Sequence, residues 1–129
     1  MGTLVPSSLL ITLMLAATPA VAQPWVLLGE RMVTDRLDHD SIPVTAARGD
    51  FSAIKITVHR RAVDFHRVVV FFANGESQEI ALRSTIPAGG ESRVIDLRGG
   101  DRVIRRVELW YDARSLGGRR AVVRVFGRR

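Results

Sequence analysis

Val68-Val-Val-Phe-Phe-Ala-Asn74-Gly75-Glu-Ser-Gln-Glu-Ile80-Ala-Leu82-Arg83 reads as a β-hairpin in residue types alone. Val68 to Phe72 is β-branched and aromatic without a break, the pattern of a central strand covered on both faces. Asn74-Gly75 follows at once and predicts a tight type I′ turn, which needs positive φ at both central positions. The return strand, Gln78 to Arg83, turns Ile80 and Leu82 inward.

The same two-residue period spreads outward in both directions. Phe51 to His59 puts Ile54, Ile56 and Val58 on one face and Lys55, Thr57 and His59 on the other, a strand with one wet side. A first strand is predicted over Trp25 to Val33, followed by an acidic loop from Thr34 to Ser41. Ile42 to Val44 is a short extended piece that Pro43 assigns to a sheet edge. Further strands fall at Arg93 to Leu97, Arg106 to Tyr111 and Ala121 to Phe126, bounded by Gly89-Gly90, Gly99-Gly100 and Gly117-Gly118. Val103-Ile104-Arg105 breaks the alternation and predicts a bulge or one helical turn.

No stretch keeps a helical period over 11 residues, so the chain reads as all-β. Seven or eight short strands at this spacing predict an antiparallel β-sandwich, with a small closed β-barrel as the alternative. Strand parity assigns the core to Leu27, Ile54, Ile56, Val58, Val68, Val70, Ile80, Leu82, Val107, Leu109, Val123 and Val125.

The first 22 residues read differently. Leu9 to Ala17 is an uncharged apolar run, and Thr18-Pro19 then leads into Ala20-Val21-Ala22, a small-x-small cleavage site. This predicts a signal peptide over residues 1–22, a single domain over 23–129, and a periplasmic or secreted product. Met1 to Ser8 lacks the usual basic residues, which leaves an uncleaved anchor as the alternative. The apolar run is short of the roughly 18 residues of a spanning helix, and that favours cleavage. No other segment reads as transmembrane.

The chain has 129 residues and no cysteine, which excludes disulfides, thiol catalysis, cysteine-rich zinc sites and lipid attachment at a cleavage-site cysteine. Its net charge is +6, and Lys55 is the single lysine among 19 basic residues. A basic surface draws anionic partners by long-range attraction.

The segments Trp25-Val-Leu-Leu-Gly-Glu-Arg, Val68-Val-Val-x-Phe-x-Asn-Gly75, Ala88-Gly-Gly-Glu-Ser-Arg-Val-Ile-Asp-Leu97 and Val107-Glu-Leu-Trp-Tyr111 resemble those of small exported bacterial proteins grouped as a domain of unknown function. The resemblance implies a secreted or periplasmic β-sandwich. It carries over no catalytic or binding residue.

Three sets of residues are candidates for chemistry. The pairs Arg60-Arg61, Arg105-Arg106 and Arg119-Arg120 stand near predicted turns or strand ends, and guanidinium groups gathered on one surface grip carboxylates or phosphates. Asp35, Asp38 and Asp40, with His39 among them, offer oxygen ligands of the kind Ca²⁺ takes, without the glycine and distal glutamate of an EF-hand. His59 and His66, with Asp64 between them or with His39, would offer a zinc-like set if their strands formed a hairpin.

Enzyme motifs are missing: there is no Gly-x-Ser-x-Gly, no phosphate-binding Gly-x-x-x-x-Gly-Lys and no His-Glu-x-x-His. The expected function is therefore a non-catalytic, cofactor-free binding or interaction module of the cell envelope or secreted fraction. Its expected partners are an anionic glycan, lipid head groups or an envelope protein. Nucleic acid is disfavoured, because Phe71, Phe72, Trp110 and Phe126 fall within strands rather than among the basic residues. The alternative is a small metal-dependent protein or hydrolase using His39, His59, His66 and the Asp35 to Asp40 loop.

Overall fold

A computed structural model of the chain describes residues 24–34, 39–112 and 119–129. The described residues form ten strands: β1 (Val26–Val33), β2 (His39–Pro43), β3 (Asp50–Phe51), β4 (Ala53–His59), β5 (Val63–Phe72), β6 (Ser77–Ile80), β7 (Ser84–Ile86), β8 (Ile95–Asp96), β9 (Arg102–Tyr111) and β10 (Ala121–Arg128). They form two antiparallel sheets that do not close into a barrel. One sheet runs β1-β10-β4-β8; the other runs β2-β9-β5-β6, with β3 also on β9 and β7 also on β5.

One segment read as a single strand is divided and β7 forms beyond the expected return strand, which accounts for strands beyond the seven or eight expected. Phe51 to His59 bends at Ser52. Ser52 donates its N–H to the Arg128 carbonyl at 2.9 Å, and its own carbonyl accepts the Leu97 N–H at 2.8 Å. The chain thereby leaves one sheet at β3 and enters the other at β4, a corner typical of sandwiches. The return strand of the hairpin breaks after Ile80, where Leu82 N–H turns back to the Ile80 carbonyl at 2.8 Å, and β7 then resumes pairing with β5.

The hairpin itself forms, but its turn is not type I′. Gly75 has φ 90° while Asn74 does not enter the positive region. Gly75 N–H donates to the Phe72 carbonyl at 3.1 Å and Phe72 N–H to the Glu76 carbonyl at 2.9 Å. This is the three-residue loop in which a glycine closes the turn. The Asn74 side chain instead accepts the Glu76 N–H at 3.0 Å, an Asx contact that holds the loop without a left-handed asparagine.

Alternating faces of β4, β5, β9 and β10 meet in the core, where Ile54, Ile56, Val58, Val68, Val70, Val107, Leu109, Val123 and Val125 are buried, with Ile80 and Leu82 beside them. Leu27 is an exception, at 38% exposure, and Leu28 is buried in its place at 3%. The β1–β10 register steps from Leu27 opposite Phe126 to Gly29 opposite Val125, so Leu28 is an extra residue and the parity reverses there. A second bulge lies where the alternation failed in the sequence: Phe71 pairs with Arg106 and Phe72 with Ile104, leaving Arg105 over.

Pro43 stands on an edge strand, as its missing N–H requires. The edge is covered by a side chain rather than a strand, since Arg31 of β1 donates from Nη2 and Nε to the Ser41 carbonyl at 2.6 and 3.2 Å. Gly127 permits another close approach: a Cβ there would lie 2.6 Å from the Phe51 ring, so only glycine lets the ring lie against β10.

Candidate functional site at one end of the sandwich

The arginine pairs separate into two places. Arg60 and Arg61 connect β4 to β5, and Arg119 and Arg120 lead into β10. Because His59 pairs with Val122, these four residues share one end of the sandwich. Arg60 has φ 76°, the one positive value outside glycine among the described residues, an uncommon conformation for a bulky side chain. Arg61 is half-buried, and its Nε lacks a hydrogen-bond partner. Arg120 Nη1 lies 3.8 Å from the Met32 sulfur.

Arg105 and Arg106 do not join them. Arg105 is the bulged residue of β9, with its carbonyl accepting the Val44 N–H at 2.9 Å. The Arg106 guanidinium lies 3.9 Å from the centre of the Phe71 ring and 3.4 Å from Glu108 Oε1, so it is engaged on the outer face of the six-stranded sheet.

That outer face also carries Trp110. Trp110 stands between His39 and Arg67 in the register. The His39 ring stacks on it at 4.4 Å and the Arg67 guanidinium lies 4.6 Å from its centre. Of the aromatic residues weighed in the sequence, Phe72 is in the core, whereas Phe71, Trp110 and Phe126 are half-buried on sheet faces.

The acidic and histidine candidates scatter. Asp35 and Asp38 lie outside the described residues. Asp40 belongs to β2 rather than to a loop and accepts the Tyr111 hydroxyl at 2.7 Å, with Arg31 Nε at 4.0 Å. His59 and His66 do not face each other across a hairpin: β4 and β5 belong to different sheets, so the chain between them crosses the sandwich instead of turning back. His59 Nε2 is 3.4 Å from Thr57 Oγ1.

His66 does meet Asp64, the carboxylate noted beside it in the sequence, and a third residue, Asp112, completes the group. One ligand atom from each lies within 4.8 Å of the others. The backbone explains the meeting. Asp112 N–H donates to the Asp64 carbonyl at 2.8 Å, extending the β5–β9 ladder one step past the Phe65–Tyr111 pair. Phe65 and Tyr111 point into the core, so their neighbours point out. The register then shifts between Phe65 and Arg67, which makes His66 a bulged residue. Sequence reasoning missed Asp112 because it follows the predicted strand, and its partner across the ladder is set by strand order.

His66 and Asp112 open onto a cleft of about 940 Å³ whose walls include Arg67, Glu79, Arg83 and Trp110. Arg67 is held there by Glu79 at 2.9 Å. A cleft that presents an aromatic face, guanidinium groups and carboxylates suits a polar ligand of mixed character.

The profile of a protein family described as a domain of unknown function, DUF2541, matches residues 7–127. No curated protein matches the chain in sequence. Among solved structures the fold is similar to that of Pseudomonas aeruginosa AlgX, from a structural and functional characterization of that protein. The TM-score is 0.52 at 14% identity, covering 84% of this chain and 27% of AlgX. The chain thus spans about a quarter of that protein's length, and the likeness is one of fold.

Proposed function

The chain belongs to the DUF2541 family, a domain of unknown function, and from that premise we propose that it is an exported, non-catalytic β-sandwich that binds an anionic ligand at its β4–β5 end. The observation that carries the reading is Arg61, whose half-buried Nε has no acceptor while Arg60, Arg119 and Arg120 lie at the same end. A buried donor left unpaired costs about 1–3 kcal/mol, and a carboxylate or phosphate oxygen relieves that cost with a charge-assisted bond. The contorted backbone at Arg60 supports the same reading, since strained conformations cluster at ligand clamps.

An anionic glycan and a lipid head group share this chemistry. The exposed large hydrophobics among the described residues are Leu27, Met32 and Val94, which supplies little argument for an apolar partner. Export rests on the apolar run Leu9 to Ala17 and the small-x-small site at Ala20-Val21-Ala22. In the described residues no helix is long and apolar enough to cross a membrane.

Binding to an acidic polysaccharide and to phosphatidylglycerol vesicles, measured side by side at rising salt, tests the proposal. Reversal of Arg60, Arg61, Arg119 and Arg120 to Glu is expected to abolish binding to one of the two. Reversal of Arg48, Arg93, Arg98 and Arg124 is expected to weaken it only as far as net charge dictates. Equal losses from the two sets would overturn the localised site, and no binding by the native chain at low salt would overturn the function.

A further inference from the structure

We propose that Asp64, His66 and Asp112 form a binding site for a divalent transition-metal cation, Zn²⁺ in the first instance. The inference is independent of the arginine end and stands or falls separately from it.

The donor set selects the cation. Ca²⁺ takes six to eight oxygens, far more than two carboxylates supply, and a histidine nitrogen adds nothing to it. One imidazole and two carboxylates suit Zn²⁺, which binds nitrogen and oxygen at about 2.0–2.2 Å and keeps an open position in sites with three protein ligands. Ligand atoms around a tetrahedral Zn²⁺ stand about 3.4 Å apart by that bond length. The present arrangement, within 4.8 Å, reaches it by rotations of side chains that are exposed or half-buried.

The backbone supplies the second argument. Asp64 and Asp112 are opposed across the last step of the β5–β9 ladder, which brings their carboxylates to the same side of the sheet beside His66. His66 reaches them because the register shift makes it a bulged residue, and bulges re-aim side chains beside functional sites. Both His66 and Asp112 border the cleft, which leaves room beside the site for a water or a ligand oxygen.

Titration of the chelator-stripped chain, free of any affinity tag, with ZnSO₄ by calorimetry tests this, alongside the visible spectrum of the Co²⁺-loaded protein. One Zn²⁺ per chain is expected, with a Co²⁺ spectrum of low-coordinate geometry. His66→Gln and Asp112→Asn, each confirmed as folded by circular dichroism, are expected to weaken binding beyond the roughly 10–100-fold that loss of an outer-shell partner costs. His39→Gln and His59→Gln are expected to leave it unchanged. The proposal is overturned if no stoichiometric binding occurs, if Ca²⁺ binds and Zn²⁺ does not, or if His39→Gln or His59→Gln removes the site while His66→Gln retains it.

Discussion

The Tyr111 hydroxyl donates to the Asp40 carboxylate at 2.7 Å, fastening the edge strand β2 to β9 at the rim of the core. Tyr111 is 1% exposed, so its hydroxyl has this polar partner where water has little access. A hydrogen bond to a charged acceptor contributes about 1.5–3 kcal/mol. Tyr111→Phe is expected to lower stability by that amount in urea unfolding. Asp40→Ala is expected to lower stability as well, because it removes the acceptor of that bond. A Tyr111→Phe variant with an unchanged midpoint would show the bond to be absent in solution.

The reversal of parity in β1 yields a contrast. Ile56→Ala and Leu109→Ala empty sites at 0% exposure and are expected to cost about 2–5 kcal/mol each. Leu28→Ala is expected to fall in the same range, and Leu27→Ala to stay near the ±0.5 kcal/mol typical of surface changes. Chemical denaturation of the four variants checks this. A larger loss at Leu27 than at Leu28 would remove the bulge.

At the hairpin, Gly75→Val forces a β-branched residue into the left-handed region and is expected to cost about 1–2 kcal/mol or more. Asn74→Ala is expected to cost less, because residue 74 keeps an ordinary φ and gives up only exposed contacts with Glu76 and Arg102. Equal costs at the two positions would restore a type I′ turn.

These positions also show what a sequence discloses. The hairpin, the core faces of β4, β5, β9 and β10, and the edge position of Pro43 follow from local residue types, since each depends on neighbours two residues away or on a missing N–H. Leu27 and Leu28 are identical side chains, so nothing local says which one faces inward; the bulge decides it. The separation of His59 from His66, and the meeting of Asp64 with Asp112, depend on which strands pair. Strand order is a property of the whole sandwich and leaves no mark on three residues. The arginine pairs were visible as pairs, but their division between one end and the face of β9 required the register.

Export carries its own expectation. N-terminal sequencing of the protein recovered outside the cytoplasm is expected to begin at Gln23, after Ala20-Val21-Ala22. Membrane-bound protein that retains Met1 or Gly2 would show an uncleaved anchor.

The place of β10 has a consequence for when the domain can assemble. It is the last of the ten strands, yet it lies between β1 and β4 and pairs with both. Until β10 is available, β1 has no neighbour in its sheet, and β4 holds only the two-residue β8 and the 89–92 segment. Pairings between distant parts of a chain form late and slowly. The β2-β9-β5-β6 sheet can therefore form first, and the β1-β10-β4-β8 sheet closes only when the last strand is in place.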